Sequence, residues 1–166
     1  MIGLYAGIKT LVGHSGNVFD CDIQQNINLD SPDVMIVSCG VDGTVRFWAC
    51  AGPDGPLKII RDHFEAVYKC SFSPDGKRVV SCGEDQSVRL FSVPEGYQLF
   101  CYLGHVSPVT TVKFSPSSRF LVSGSDYGER KIIVWRADMP DAEEVPIQLP
   151  HMIYWTPVKL YIYCLF

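Results

Sequence analysis

Apolar and polar positions change their pattern in a fixed order between residues 67 and 91. The run "VYKCSF" (67–72) alternates, as a strand with one buried face does. "SPDGK" (73–77) follows, and proline, aspartate and glycine together are turn chemistry. A β-branched run, "KRVVS", comes next, then a short polar turn with Asp85, then "SVRLF". The looser run "QLFCYL" (98–103) closes the unit. The pattern predicts four strands, a to d, and no stretch of the chain shows a helical period.

The same order recurs. "SPSSR" (115–119) repeats the turn, "RFLVS" the second strand, "TVRFW" and "KIIVW" the third, and "LKIIRD" (57–62) and "VPIQLP" (145–150) the fourth. "SCGVDGTVRFW" (38–48) and "SCGEDQSVRLF" (81–91) are nearly one phrase. The four histidines, His14, His63, His105 and His151, head "GHSGNVFDCDI", "DHFEAVYKCSF", "GHVSPVTTVKF" and the weaker "PHMIYWTPVKL", at spacings of 49, 42 and 46 residues. An apolar residue stands nine positions after each: Ile23, Phe72, Phe114 and Leu160. Such spacing marks an internal repeat rather than a cluster of ligands.

Units of this length, with four strands, a "GH" at the start and a tryptophan near the end, resemble the WD-repeat family of β-propellers. The matching residues are Gly13-His14, Asp42 and Trp48; His63, Asp85 and Phe91; Gly104-His105, Asp126 and Trp135. The resemblance covers about residues 5–160 and implies an all-β partial propeller. It would hold three four-stranded antiparallel blades (about 14–62, 63–104 and 105–150), a leading d strand (about 5–12) and a trailing a strand (151–160). An apolar tail (161–166) follows. The ring is expected to be incomplete, as in a truncated isoform or fragment of a larger propeller protein. Open blade edges are expected to favour self-association.

Three departures stand out. The pairs Trp48-Ala49, Phe91-Ser92 and Trp135-Arg136 lack the aspartate that gives the family its name, and no Trp-Asp-x-Arg sequence for a ubiquitin-ligase adaptor occurs. Copy 1 carries extra residues around "QQNINLDSPD" (24–33). Copy 3 has a longer b–c loop, "DYGERK" (126–131).

The resemblance implies a buried hydrogen-bond chain in each copy: tryptophan to serine to histidine to aspartate. Its members are His14, Ser38, Asp42 and Trp48; His63, Ser81 and Asp85; and His105, Ser123 and Trp135. The competing reading is a serine-type hydrolase using a Ser–His–Asp set. A catalytic set is needed once, and this one is written repeatedly, so no catalytic residue and no enzyme activity are expected. Phe91 cannot donate a hydrogen bond, so the second copy is expected to have a weaker network, which a Phe91→Trp variant would strengthen.

The resemblance also implies a partner-binding face on the loops that carry the histidines and the b–c turns. Carried over, its residues are Asn17, Phe19 and Val41; Ala66, Tyr68 and Glu84; and Pro108 and Thr110. The same residues could instead fill the seams between blades. The expected activity is that of a protein–protein interaction scaffold.

Composition narrows the alternatives. The chain has 166 residues, 47% hydrophobic and 19% charged, with a formal net charge of −4 and no run of like charges. That suits one globular domain and disfavours nucleic acid as partner. No signal peptide, membrane-spanning segment or prenylation signal is expected. Seven cysteines without a CxxC pair argue against a disulfide framework or a zinc site and for an intracellular, cytoplasmic setting, with the nucleus left open. Cys21, Cys70, Cys39 and Cys82 follow the repeat and read as strand packing. No cofactor or metal is expected.

Overall fold

The computed structural model describes residues 9–24, 34–126 and 128–137. These form eleven strands and no helix. The first sheet is β1 (Val18–Ile23), β2 (Met35–Gly40), β3 (Val45–Ala49) and β4 (Lys58–Ile60). The second is β5 (Val67–Phe72), β6 (Arg78–Gly83), β7 (Val88–Ser92) and β8 (Gln98–Tyr102). The third is β9 (Val109–Phe114), β10 (Phe120–Ser125) and β11 (Ile132–Arg136). Every pair is antiparallel and joins neighbours in sequence. This is the all-β, blade-by-blade order that the repeated pattern predicts. The fourth strand of the third blade and the trailing strand expected at 151–160 lie outside the described residues, as do residues 25–33 of the long first hairpin. Of the leading strand expected at about 5–12, residues 9–12 are described and are irregular.

The turn "SPDGK" folds through its own side chains. Ser73 Oγ donates to Asp75 Oδ1 at 2.5 Å and accepts from the Arg78 amide at 2.9 Å, and the Lys77 amide donates to Asp75 Oδ1 at 3.1 Å. Gly76 closes it with φ of 70°. Ser118 takes that left-handed position in the third blade, with φ of 58°.

Each core lies between sheets. Val37, Cys39, Val45 and Phe47 of the first blade meet Val67, Cys70, Phe72, Val79 and Phe91 of the second. Val80, Cys82, Val88 and Leu90, on the opposite face of the second blade, meet Val109, Val112, Leu121 and Trp135 of the third. The middle blade is therefore covered on both faces, and its strand β7 is buried throughout. Such a strand needs a near-continuous apolar run, which "SVRLF" supplies with Arg89 as its one charge.

The innermost strands add a polar device. Asp20 and Asp22 on β1 accept from the backbone amides of Cys70 (3.2 Å) and Phe72 (2.9 Å) on β5, and Lys69 Nζ lies 3.3 Å from Asp20 Oδ1. These carboxylates satisfy the open edge of β5, which would otherwise present unpaired amides. A cavity of about 250 Å³ lies along the inner strands β1, β5 and β9.

Candidate functional site

The first blade assembles a continuous polar chain. Trp48 Nε1 donates to Ser38 Oγ at 2.8 Å, and Ser38 Oγ lies 2.8 Å from His14 Nε2. His14 Nδ1 is 3.0 Å from both oxygens of Asp42. Asp42 also accepts from the Ser15 amide, from Thr44 Oγ1 (2.8 Å) and from Arg46 Nη2 (3.0 Å). Arg46 Nε in turn donates to Thr44 Oγ1 at 2.9 Å.

The second blade repeats the set. His63 bridges Ser81 Oγ (2.6 Å) and Asp85 Oδ2 (2.9 Å), Ser87 Oγ donates to Asp85 Oδ1 at 2.7 Å, and Arg89 reaches both Asp85 and Ser87. Phe91 takes the place of tryptophan and is fully buried, so Ser81 receives no indole donor.

The third blade differs at its acid. Trp135 Nε1 donates to Ser123 Oγ at 2.7 Å, and Ser123 Oγ is 2.8 Å from His105 Nε2. His105 Nδ1 meets Glu129 Oε2 at 3.0 Å, and the Val106 amide donates to the same oxygen at 3.1 Å. The acid expected at Asp126 is therefore Glu129. Asp126 sits where the chain leaves β10, with its amide donating to Pro108 O at 3.2 Å. The loop then runs on to residue 129, whose longer side chain reaches back to the histidine.

Burial acts to raise the pKa of each of these acids, but the convergent donors outweigh it. Thr44, Ser15 and His14 hold the Asp42 carboxyl well below its ordinary value. His63 and Ser87 do the same for Asp85. Lys131, Ser125, His105 and the Val106 amide hold Glu129 at about 2. The acids are thus fixed anions that orient their histidines.

The residues expected at a partner face divide by exposure. Asn17, Phe19, Val41 and Glu84 are exposed, Tyr68, Pro108 and Thr110 are half-buried, and Ala66 is buried. The rings of Phe19 and Tyr68 lie 5.7 Å apart across neighbouring blades. Phe19, Tyr68 and Thr110 each fall where the ladder slips by one residue: between Val18 and Asp20, Val67 and Lys69, and Val109 and Thr111. A β-bulge re-aims its extra side chain. The family resemblance pointed to these positions but not to the bulges behind their orientation.

Other residues escaped sequence reasoning. Thr44 with Arg46, and Ser87 with Arg89, complete the acid's environment, and the repeated "TVR" and "SVR" were the available signal. Phe64 is 87% exposed and packs against the Arg89 guanidinium, 5.4 Å from ring centroid to Cζ. Val106 is exposed at the same place in the third blade, directly after its histidine. The described cysteines are free thiols. Cys39 and Cys70 meet across the first seam, where their hydrogen bond and burial push the Cys70 thiol up. Among the described residues, no group of three or more His, Cys, Asp and Glu side chains could hold a metal ion.

Known proteins match this arrangement in part. DDB1- and CUL4-associated factor 13 of Xenopus tropicalis is 37% identical over 86 residues, which are 51% of this chain and 19% of that protein. Protein SOF1 of Saccharomyces cerevisiae is 33% identical over 102 residues, 61% of this chain and 20% of its own length. A guanine nucleotide-binding protein subunit beta of Oryza sativa subsp. indica is 30% identical over 124 residues, 70% of this chain and 31% of its own. The chain thus spans between about a fifth and a third of the length of these curated relatives. The WD40 family (WD domain, G-beta repeat) matches residues 7–49, 54–92 and 96–136, each match ending with the third strand of a blade, and the chain belongs to that family.

Proposed function

We propose that the protein is an interaction scaffold whose partner surface is the end of the blades carrying the histidine loops and b–c turns. The observation that carries this reading is the combination of a locked base and an apolar rim. Three hydrogen-bond chains fix the loops from beneath. Above them Phe19, Val41, Phe64 and Val106 stand exposed. Rigid loops lower the ordering cost of binding, and exposed aromatics are common anchors.

The same geometry supports a structural rather than a catalytic role for the serines. Ser38 Oγ and Ser123 Oγ each accept an indole N–H as well as facing a histidine, and both residues are buried. A nucleophile needs an open approach, which neither has. The exposed apolar rim and the overall negative charge favour proteins over nucleic acid as partners. The free thiols favour an intracellular setting, which we take as cytoplasmic. The association in the name of DDB1- and CUL4-associated factor 13 stays with that protein, because Trp48-Ala49, Phe91-Ser92 and Trp135-Arg136 offer no Trp-Asp-x-Arg sequence.

Partner capture from cell extract by wild type and by Phe19→Ala, Tyr68→Ala and Phe64→Ala tests the reading. Loss of captured proteins with unchanged thermal melting supports a binding face. Unchanged capture with lowered melting temperature sinks it and makes these residues seam packing.

A further inference from the structure

The innermost strands share one arrangement of donors, and the first seam shows what it holds. On β5, Cys70 pairs with Ser81 and Phe72 with Val79. The amides of Cys70 and Phe72 point away from β6 and donate to Asp20 and Asp22 of the first blade, at 3.2 and 2.9 Å. Each carboxylate takes a second donor from the side chain just before that amide. Lys69 Nζ lies 3.3 Å from Asp20 Oδ1, and Ser71 Oγ donates to Asp22 Oδ2 at 3.0 Å. Two acids at alternate positions of one strand thus fill a cradle of two amides and two side-chain donors on the next.

The third blade carries the donor half of that cradle. On β9, Val112 pairs with Ser123 and Phe114 with Leu121, the same register as on β5. Hydrogen-bonded and non-bonded pairs alternate in an antiparallel ladder, so the amides of Val112 and Phe114 point away from β10. The residues before these amides are Thr111 and Lys113, both exposed and both donors. The acceptor half is missing, because the second blade has Lys69 and Ser71 where the first has Asp20 and Asp22. Among the described residues no acceptor meets the amide of Val112 or of Phe114. Lys69, Val112, Lys113 and Phe114 all line the cavity of about 250 Å³ along the inner strands. The acids in that cavity, Asp20 and Asp22, already have their donors on β5, so Lys113 sets the charge beside β9.

We infer that the inner edge of β9 binds an extended acidic peptide, with one carboxylate on the Val112 amide and Thr111 and a second on the Phe114 amide and Lys113. Alternate residues of an extended strand lie about 6.7 Å apart and point to one side. An acid-x-acid segment therefore matches amides two residues apart on β9, as Asp20 and Asp22 match those of β5. Both strands of this seam lie within the described residues. The site is on the inner strands, apart from the histidine loops and the partner surface proposed there.

Amide hydrogen exchange on the full chain tests it. The probe is the end-blocked peptide "FDSDIQ", which copies residues 19–24 with serine in place of cysteine, and the control is "FNSNIQ". Without peptide, the amides of Val112 and Phe114 are expected to exchange faster than those of Cys70 and Phe72. The acidic peptide is expected to slow Val112 and Phe114 several-fold and to leave Cys70 and Phe72 unchanged. Lys113→Glu, at an exposed position and with its fold checked by circular dichroism, is expected to weaken binding several-fold, and added salt is expected to weaken it in the wild type. Equal slowing by the control peptide overturns carboxylate recognition. Equal slowing by succinate overturns a peptide as the ligand. No slowing at Val112 and Phe114 by the acidic peptide, or a folded Lys113→Glu chain that binds it as well as the wild type does, overturns the inference.

Discussion

His105 and Glu129 are joined at 3.0 Å across the longest b–c loop described, whereas the other two blades place an aspartate four residues after the serine. The glutamate gains reach from its extra methylene and from the loop that carries it forward. Its Oε2 also binds the Val106 amide, so it fixes both the histidine ring and the loop after it. Glu129→Ala is expected to cost roughly 1–3 kcal/mol, the usual cost of leaving buried polar groups without a partner. Asp126→Ala is expected to cost less. Equal losses in chemical denaturation would show that the acid slot is shared.

The serines should differ in a fixed order. Removing the Ser38 hydroxyl strands both Trp48 Nε1 and His14 Nε2, and removing that of Ser123 strands Trp135 Nε1 and His105 Nε2. Removing the Ser81 hydroxyl strands His63 Nε2 alone, because Phe91 offers no donor. Each stranded group costs about 1–3 kcal/mol. Ser38→Ala and Ser123→Ala are therefore expected to lower stability by more than Ser81→Ala. A Ser81→Ala loss as large as the others would place the network's strength in the histidine rather than the indole.

The repeat made the blades and two of the three acid positions legible, because those depend on residues at fixed separations within one unit. Glu129 was hidden because a loop of altered length breaks that separation, and chain distance then says nothing about which carboxylate returns. Asp20 and Asp22 were hidden for another reason. They act across blades, on the amides of Cys70 and Phe72, and within their own repeat they look like ordinary solvent-facing strand residues. Phe64 lay outside the resemblance, which concerns positions further along the loop. The bulges at Phe19, Tyr68 and Thr110 depend on register, which no composition of residues reveals.

Acid should unlock the three acid sites together. Asp42 and Asp85 ionise more readily folded than at their ordinary value of 3.8, and Glu129 sits at about 2 against an ordinary 4.5. The unfolded chain takes up protons first as pH falls. Their stabilisation is therefore complete above the ordinary values and is lost as pH drops through the folded ones. Melting temperature is expected to fall steeply from about pH 4.5 to about pH 2. Asp85→Asn should flatten that slope while lowering stability at neutral pH. An unchanged slope would move the pH dependence elsewhere.

Gly83 stands where two backbones close on each other. A Cβ there would lie 2.3 Å from Ala66 O and 3.1 Å from Val67 Cα, and Gly40 meets Asn17 O at the same 2.3 Å. The carbonyl of Ala66 also accepts from the Glu84 amide at 2.9 Å, which pins the bulge beside Tyr68. In the third blade Ser125 holds the equivalent position, and the matching bond from Asp126 to Pro108 is 3.2 Å. Gly83→Ala is expected to fold with a loss of about 1–3 kcal/mol, the range for forcing atoms into a packed site. It should also speed hydrogen exchange at the Glu84 amide, because the acceptor is pushed away. A variant with unchanged melting and unchanged exchange would show that the bulge is free to move and that Tyr68 is not held in place by it.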